Sequence, residues 1–154
     1  MESLPNIHLL GLFIVSITVV FRAKALYPIY IYVLLDGVRG GFSGWWLADL
    51  YIWAILWAAA MLLPTGPSKR RFPEWLKKKL PQRLSYMLVA GLHGLAFGTL
   101  YAPVWALLGH LDLRGTLSWI AAGLAFDAIH GLSNFLACLF APQLIAVLRK
   151  ADKL

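Results

Sequence analysis

"TLSWIAAGLAFDAIHGLSNFLACLFAPQLIAVL", residues 116–148, runs for 33 residues without a lysine, an arginine or a glutamate, and with a single aspartate, Asp127. As one helix it would be about 50 Å long, against a bilayer hydrocarbon core of about 30 Å. It must therefore tilt steeply, bend or divide. Residues 127–150 alone would make about 36 Å of helix, so the last span can begin near Asp127, with 109–126 forming an outer loop or short helix before it. The other arrangement is one straight tilted helix, which places Asp127, His130 and Asn134 near mid-depth. In either case spacings of three and four put these three polar residues on one helical face.

The rest of the chain has the same character. Of 154 residues 60% are hydrophobic and only 14% charged, which predicts an all-α, polytopic membrane bundle forming a single domain over residues 1–154. Apolar runs at 7–21, 25–38, 45–63, 85–108 and 116–148 give about five spans. The first run is followed by Ala23-Lys24-Ala25, which loosely resembles a signal-peptidase site. Glu2 in place of a basic leader and Arg22 directly after the run favour a retained span. The single cysteine, Cys138, excludes an intrachain disulfide, and the four histidines show no zinc-binding spacing.

Charge fixes an expected orientation. Arg22 and Lys24, seven basic residues between Lys69 and Arg83, and Arg149, Lys150 and Lys153 make twelve on one side, with only Arg39 and Arg114 on the other. The positive-inside rule makes the rich side cytoplasmic, the C-terminus with it. The basic stretch 65–84 is then a cytoplasmic loop whose interspersed Trp75, Leu76, Leu80 and Leu84 suit contact with membrane lipids, or docking of a cytoplasmic partner. Topology accounts for the net charge of +7, and no nucleic-acid partner is implied.

Two further patterns concern packing and ligands. Ala90, Gly94, Gly98 and Ala102 recur every four residues and form a helix-packing ridge for a neighbour in this chain or another. "DGVRGGFSGWW", residues 36–46, is expected as a glycine-rich outer loop. It reads either as a turn with interfacial tryptophans or as a lid whose backbone and aromatics meet a ligand. It is no phosphate loop, because no Gly-Lys-Ser/Thr follows.

Polar residues inside spans are costly and face cavities or partners within the bundle. Asp49, four residues after Trp45, suits an interfacial or helix-start role, and His93 an interhelical hydrogen bond. Asp127, His130 and Asn134 have two accounts. In one, Asp127 caps the last helix and the other two bond neighbouring helices. In the other, all three line an outward-opening pocket. Asp127 and His130 could serve an intramembrane enzyme as base and orienter, but no nucleophile motif accompanies them, and no third residue completes a metal site.

The stretches "ESLPNIHLLGLFIVSITVVFRAKALYPIYIYVLLDG", "WWLADLYIWAILWAAAMLLP", "GLHGLAFGTLYAPVWALL" and "AGLAFDAIHGLSNFLACLFAPQL" together resemble the substrate-binding subunits, the S components, of energy-coupling factor (ECF) transporters. The resemblance covers nearly the whole chain apart from the basic loop. It implies a subunit that captures a vitamin or related micronutrient from outside. Delivery inward would be shared with an ECF transmembrane coupling protein and two cytoplasmic ATPases. The subunit itself would carry out no chemistry and hold no cofactor. By position, the resemblance points for the ligand to Asn6, His8, Asp36, Arg39, Trp45, Trp46, Tyr101, Asp127, His130 and Asn134. Where relatives often carry a proline before the Phe-Asp pair, this chain has Ala125. The resembled family has six spans, so five imply a chain lacking the first. The expectation is thus a multi-pass protein of the cell membrane; the alternative to ligand binding is a structural or assembly role for the small-residue ridge.

Overall fold

Inside a bilayer every backbone N–H and C=O must be satisfied by the chain itself, and helices do this segment by segment. The computed structural model describes residues 7–63 and 81–153; among these every regular element is helical. In chain order they are α1 (Leu10–Phe21), a 3-10 turn (Arg22–Ala25), α2 (Leu26–Gly40), α3 (Gly44–Met61), α4 (Gln82–Leu95), α5 (Phe97–Leu108), α6 (Leu113–Ala137), a second 3-10 turn (Cys138–Phe140) and α7 (Ala141–Ala151). The chain is an all-α bundle. Asn6 and most of the basic stretch 65–84 lie outside the described residues.

Among the described residues four stretches are long and apolar enough to cross a membrane: Leu10–Gly40, Gly44–Met61, Gln82–Leu108 and Leu113–Ala151. The two runs expected as separate first spans are joined in one helical stretch, but that stretch is not straight. Arg22 adopts φ 56°, ψ −122°, and its guanidinium donates to the carbonyl of Met61 at the end of α3. The Trp57 indole N–H donates to the carbonyl of Arg22, 3.1 Å away. Farther along, Tyr30 Oη donates to Leu50 O and Trp46 Nε1 to Val33 O, each at 2.9 Å. These pairings make α2 and α3 antiparallel. His8, just ahead of α1, lies against Trp53 near the middle of α3. So α1 passes along α3 from the level of Trp53 to that of Met61, and α2 returns. With 12 residues, α1 is about 18 Å long, short of a full crossing.

The stretch 36–46 is not the loop the sequence suggested. Asp36 and Arg39 belong to the last turns of α2, Trp45 and Trp46 to the first turn of α3, and only residues 41–43 make the turn. Gly41 supplies the positive φ of 88° that reverses the chain.

The expected division near Asp127 is also absent. α6 runs unbroken through residues 126 and 127, and its N-cap is Asp112, whose carboxylate accepts from Gly115 N at 2.7 Å. The interruption falls instead at Cys138–Phe140. Pro142, near the start of α7, has no N–H to give the Cys138 carbonyl four residues back, and its ring crowds that carbonyl.

The small-residue ridge meets a neighbour in this chain. α4 packs most extensively on α6, with Ala90 and Ala102 buried. A Cβ on Gly94 would stand 2.8 Å from Gly131 Cα, and one on Gly98 2.6 Å from Asp127 Oδ2. Glycine permits both approaches. The apolar core, including Val15, Val19, Leu56, Ala60, Met87 and Ile145, fills the end of the bundle where α3 finishes and α4 begins. The polar residues gather on the other side of it.

Candidate functional site

Each helix around the polar region contributes one face. On α3, Asp49 and Trp53 are four residues apart; across α4 and α5, His93, Phe97 and Tyr101 repeat the interval; on α6, Asp127, His130 and Asn134 follow at three and four. His8 closes the group from the start of α1. The rings form a continuous aromatic cluster. Phe97 lies edge-on to His130 with centroids 4.4 Å apart, and His8 meets His130 at 4.7 Å. Trp53 stands 5.5 Å from Phe97, 5.8 Å from His93 and 5.9 Å from His8, while Tyr101 lies 4.9 Å from Phe97.

Part of the polar inventory ties helices together. Tyr101 Oη donates to Asp49 Oδ1 at 2.6 Å, joining α5 to α3. Asp49 is buried and lies near the start of α3. His93 Nε2 lies 3.0 Å from Ile52 O; a carbonyl only accepts, so the proton is on Nε2, and Nδ1 of the neutral ring is an acceptor. Asp127 Oδ1 accepts from Gly98 N at 2.9 Å. The helix is interrupted at Ala96 between α4 and α5, so Asp127 caps the Gly98 N–H in the first turn of α5 from a neighbouring helix, and not its own helix.

The remaining polar atoms are without such bonds. Both ring nitrogens of His130 and both amide atoms of Asn134 are buried and have no hydrogen-bond partner among the described residues; the same holds for His93 Nδ1 and Asp127 Oδ2, whereas the Trp53 indole lies within reach of the Asp49 carboxylate. His130 is 1% exposed and Asn134 0%. Asn134 faces α1, where a Cβ on Gly11 would lie 2.8 Å from its Oδ1. Ser16 and Thr18 on α1 add two buried hydroxyls of the same kind.

Of the residues singled out from sequence, the structure gathers His8, Tyr101, Asp127, His130 and Asn134 into this one region. It does not bring in Trp45, Trp46 or Arg39. Trp46 bonds α2 and its ring packs on Phe42, with centroids 4.9 Å apart; Trp45 lies over Gly40; Arg39 is exposed. Asp36 sits between these groups, half-buried and within electrostatic reach of Asp49. Trp53 and Phe97 were not singled out, although each lies four residues beyond a polar residue on its own face, Asp49 and His93. Asp127 and His130 are not bonded to each other, so no base-and-orienter pair is formed. Among the described residues no three histidine, cysteine or acidic side chains converge as metal ligands.

Comparison with protein-family models, with curated proteins and with solved structures finds no match.

Proposed function

We propose that this chain is a membrane-embedded substrate-binding subunit of the ECF type, capturing a small micronutrient at the His130 cluster and passing it inward with an ATPase module. One observation carries the reading: His130 and Asn134 are fully buried with every side-chain polar atom unpartnered within the described protein. An unpaired polar group in an apolar interior costs about 1–3 kcal/mol by mutational measures, and residues placed solely to join helices would use their atoms, as Tyr101 and His93 do. Aromatic walls with a few convergent polar groups are the usual make-up of a small-molecule site.

The sequence resemblance supports the transport role. No Walker-type phosphate loop is present in the sequence, so ATP would act on partners: a transmembrane coupling protein and two cytoplasmic ATPases. The strong bias of basic residues supports a cell-membrane location with the C-terminus cytoplasmic. The ligand would enter from the opposite face, past the Tyr101–Asp49 bond, which is nearer the turn between α2 and α3 than Trp53 is.

The test is mass spectrometry of molecules released on denaturing gently purified protein, comparing wild type with His130→Ala. A near-stoichiometric organic molecule from wild type alone is expected. A wild-type protein that releases none, and binds none from a vitamin panel, overturns the reading.

A further inference from the structure

α1 is held differently from the helices around it. Hydrogen bonds tie α2 to α3 (Tyr30 to Leu50, Trp46 to Val33), α4 to α3 (His93 to Ile52), α5 to α3 (Tyr101 to Asp49, Tyr51 to Leu100) and α6 to α5 (Asp127 to Gly98). α1 joins none of them. Its polar side chains are Ser16 and Thr18, and both hydroxyls are buried with no hydrogen-bond partner among the described residues. At the start of α1, His8 lies edge-on to His130 and Trp53, and Asn134 sits against Gly11 without bonding to it. Only at the other end is the helix fastened: the Arg22 carbonyl accepts from the Trp57 indole and its guanidinium donates to Met61 O.

Arg22 is also where the chain turns. Its φ of 56° lies between a φ of −96° at Phe21 and the ordinary helical angles of Ala25 and Leu26. A residue with a Cβ stays in that region only when its surroundings hold it there, and here the two bonds to α3 do so. Hinges are single residues or short runs at element ends that absorb a large backbone change. We infer that α1 is a lever hinged at Arg22, moving against the hydrogen-bonded frame of α2–α6, and that its swing opens and closes the cluster around His130 and Asn134. Val15 and Val19, nearer the hinge, move least, and their apolar contacts have no directional bond to break. With an arm of about 18 Å, a rotation of about 10° carries the Gly11 end about 3 Å, slightly more than the width of a water molecule. The closed position is the one in which the rings pack on one another. The lever operates whatever the cluster binds.

The test uses the full chain in lipid nanodiscs, with Cys138→Ala so that only introduced cysteines carry spin labels. One label pair is Phe13→Cys on α1 with Ile129→Cys on α6; the other is Leu47→Cys on α3 with Ile129→Cys, both within the frame, and all three positions are exposed. Distances from pulsed electron paramagnetic resonance are compared with and without Trp57→Phe or Arg22→Met, each of which removes one bond at the hinge. At least one of these is expected to shift or broaden the 13–129 distance by about 2 Å, scaled to the place of Phe13 along the arm, while the 47–129 distance stays as it was. A 13–129 distance unmoved by both substitutions overturns the lever. Equal broadening of the two pairs overturns it as well, since the whole bundle would then have loosened and α1 would not move on its own.

Discussion

Replacing Gly94 with alanine places one methyl group between α4 and α6. Its Cβ would lie 2.8 Å from both Cα and N of Gly131 and 2.9 Å from the carbonyl carbon of His130. All three neighbours are backbone atoms, so no side-chain rotation relieves them. The helices must separate by roughly 1 Å to restore ordinary carbon contacts of about 3.5–4.0 Å, and a gap of that size forfeits a quarter to a half of the dispersion energy of nearby contacts. Overpacking of this kind costs about 1–3 kcal/mol. Alanine also favours a helix interior over glycine by about 1 kcal/mol, which would hide part of the loss. Gly123→Ala supplies the reference, since a Cβ there meets nothing within 4 Å. Measured by equilibrium unfolding in mixed micelles with tryptophan fluorescence, Gly94→Ala should fall about 1–3 kcal/mol below Gly123→Ala. Equal stabilities would refute the close approach of α4 and α6. Because His130 is at the contact, ligand retention should drop in the first variant and persist in the second.

Tyr101→Phe leaves the buried Asp49 carboxylate without its hydroxyl donor and should cost about 1–3 kcal/mol in the same unfolding assay; no change would mean the bond to α3 is not formed. Asp112→Ala removes the N-cap of α6 and should cost about 1 kcal/mol, with faster amide hydrogen exchange at Gly115. Unaltered exchange there would return the start of the last helix to Asp127. Arg22→Met removes the donor to Met61 O and should destabilise by about 1.5–3 kcal/mol, the range for hydrogen bonds to charged groups, measurable as a lower denaturation midpoint.

What could be read in the sequence is whatever periodicity encodes. Asp127, His130 and Asn134 share a face because their spacing demands it, and the ridge from Ala90 to Ala102 is a packing seam because small residues recur at one helical interval. Trp53 and Phe97 escaped notice for the opposite reason: in helices apolar on every side, one more aromatic marks no face until a neighbour is known. Asp127 misled because aspartate is a favoured cap and the segment around it is too long for one membrane crossing. The structure assigns its capping to α5, a partner 29 residues away along the chain, which no local pattern reveals. The first cap, Asp112, was legible in retrospect as an aspartate directly before the helix. The second interruption was legible too, in Pro142 and its effect on the carbonyl four residues earlier.

The distinction between polar residues that hold a bundle together and those that serve a ligand then becomes one of individual atoms. Membrane helices use histidine, asparagine and aspartate as glue, at about 0.6–2 kcal/mol per bond, so the presence of such residues decides nothing. In this bundle the glue is identifiable: Tyr101 to Asp49, His93 to Ile52, Asp127 to Gly98. Each of these bonds spans two helices and uses one atom of a residue whose role would be complete with it. His130 has no such bond, although both Phe97 and His8 press against its ring, and Asn134 packs its amide against α1 without bonding to it. An apolar side chain of matching size at either position would bury no unpaired polar atoms, and stability alone would favour it. Under the function proposed above, histidine and asparagine are kept at these positions by a bound molecule whose polar edge is read by both side chains.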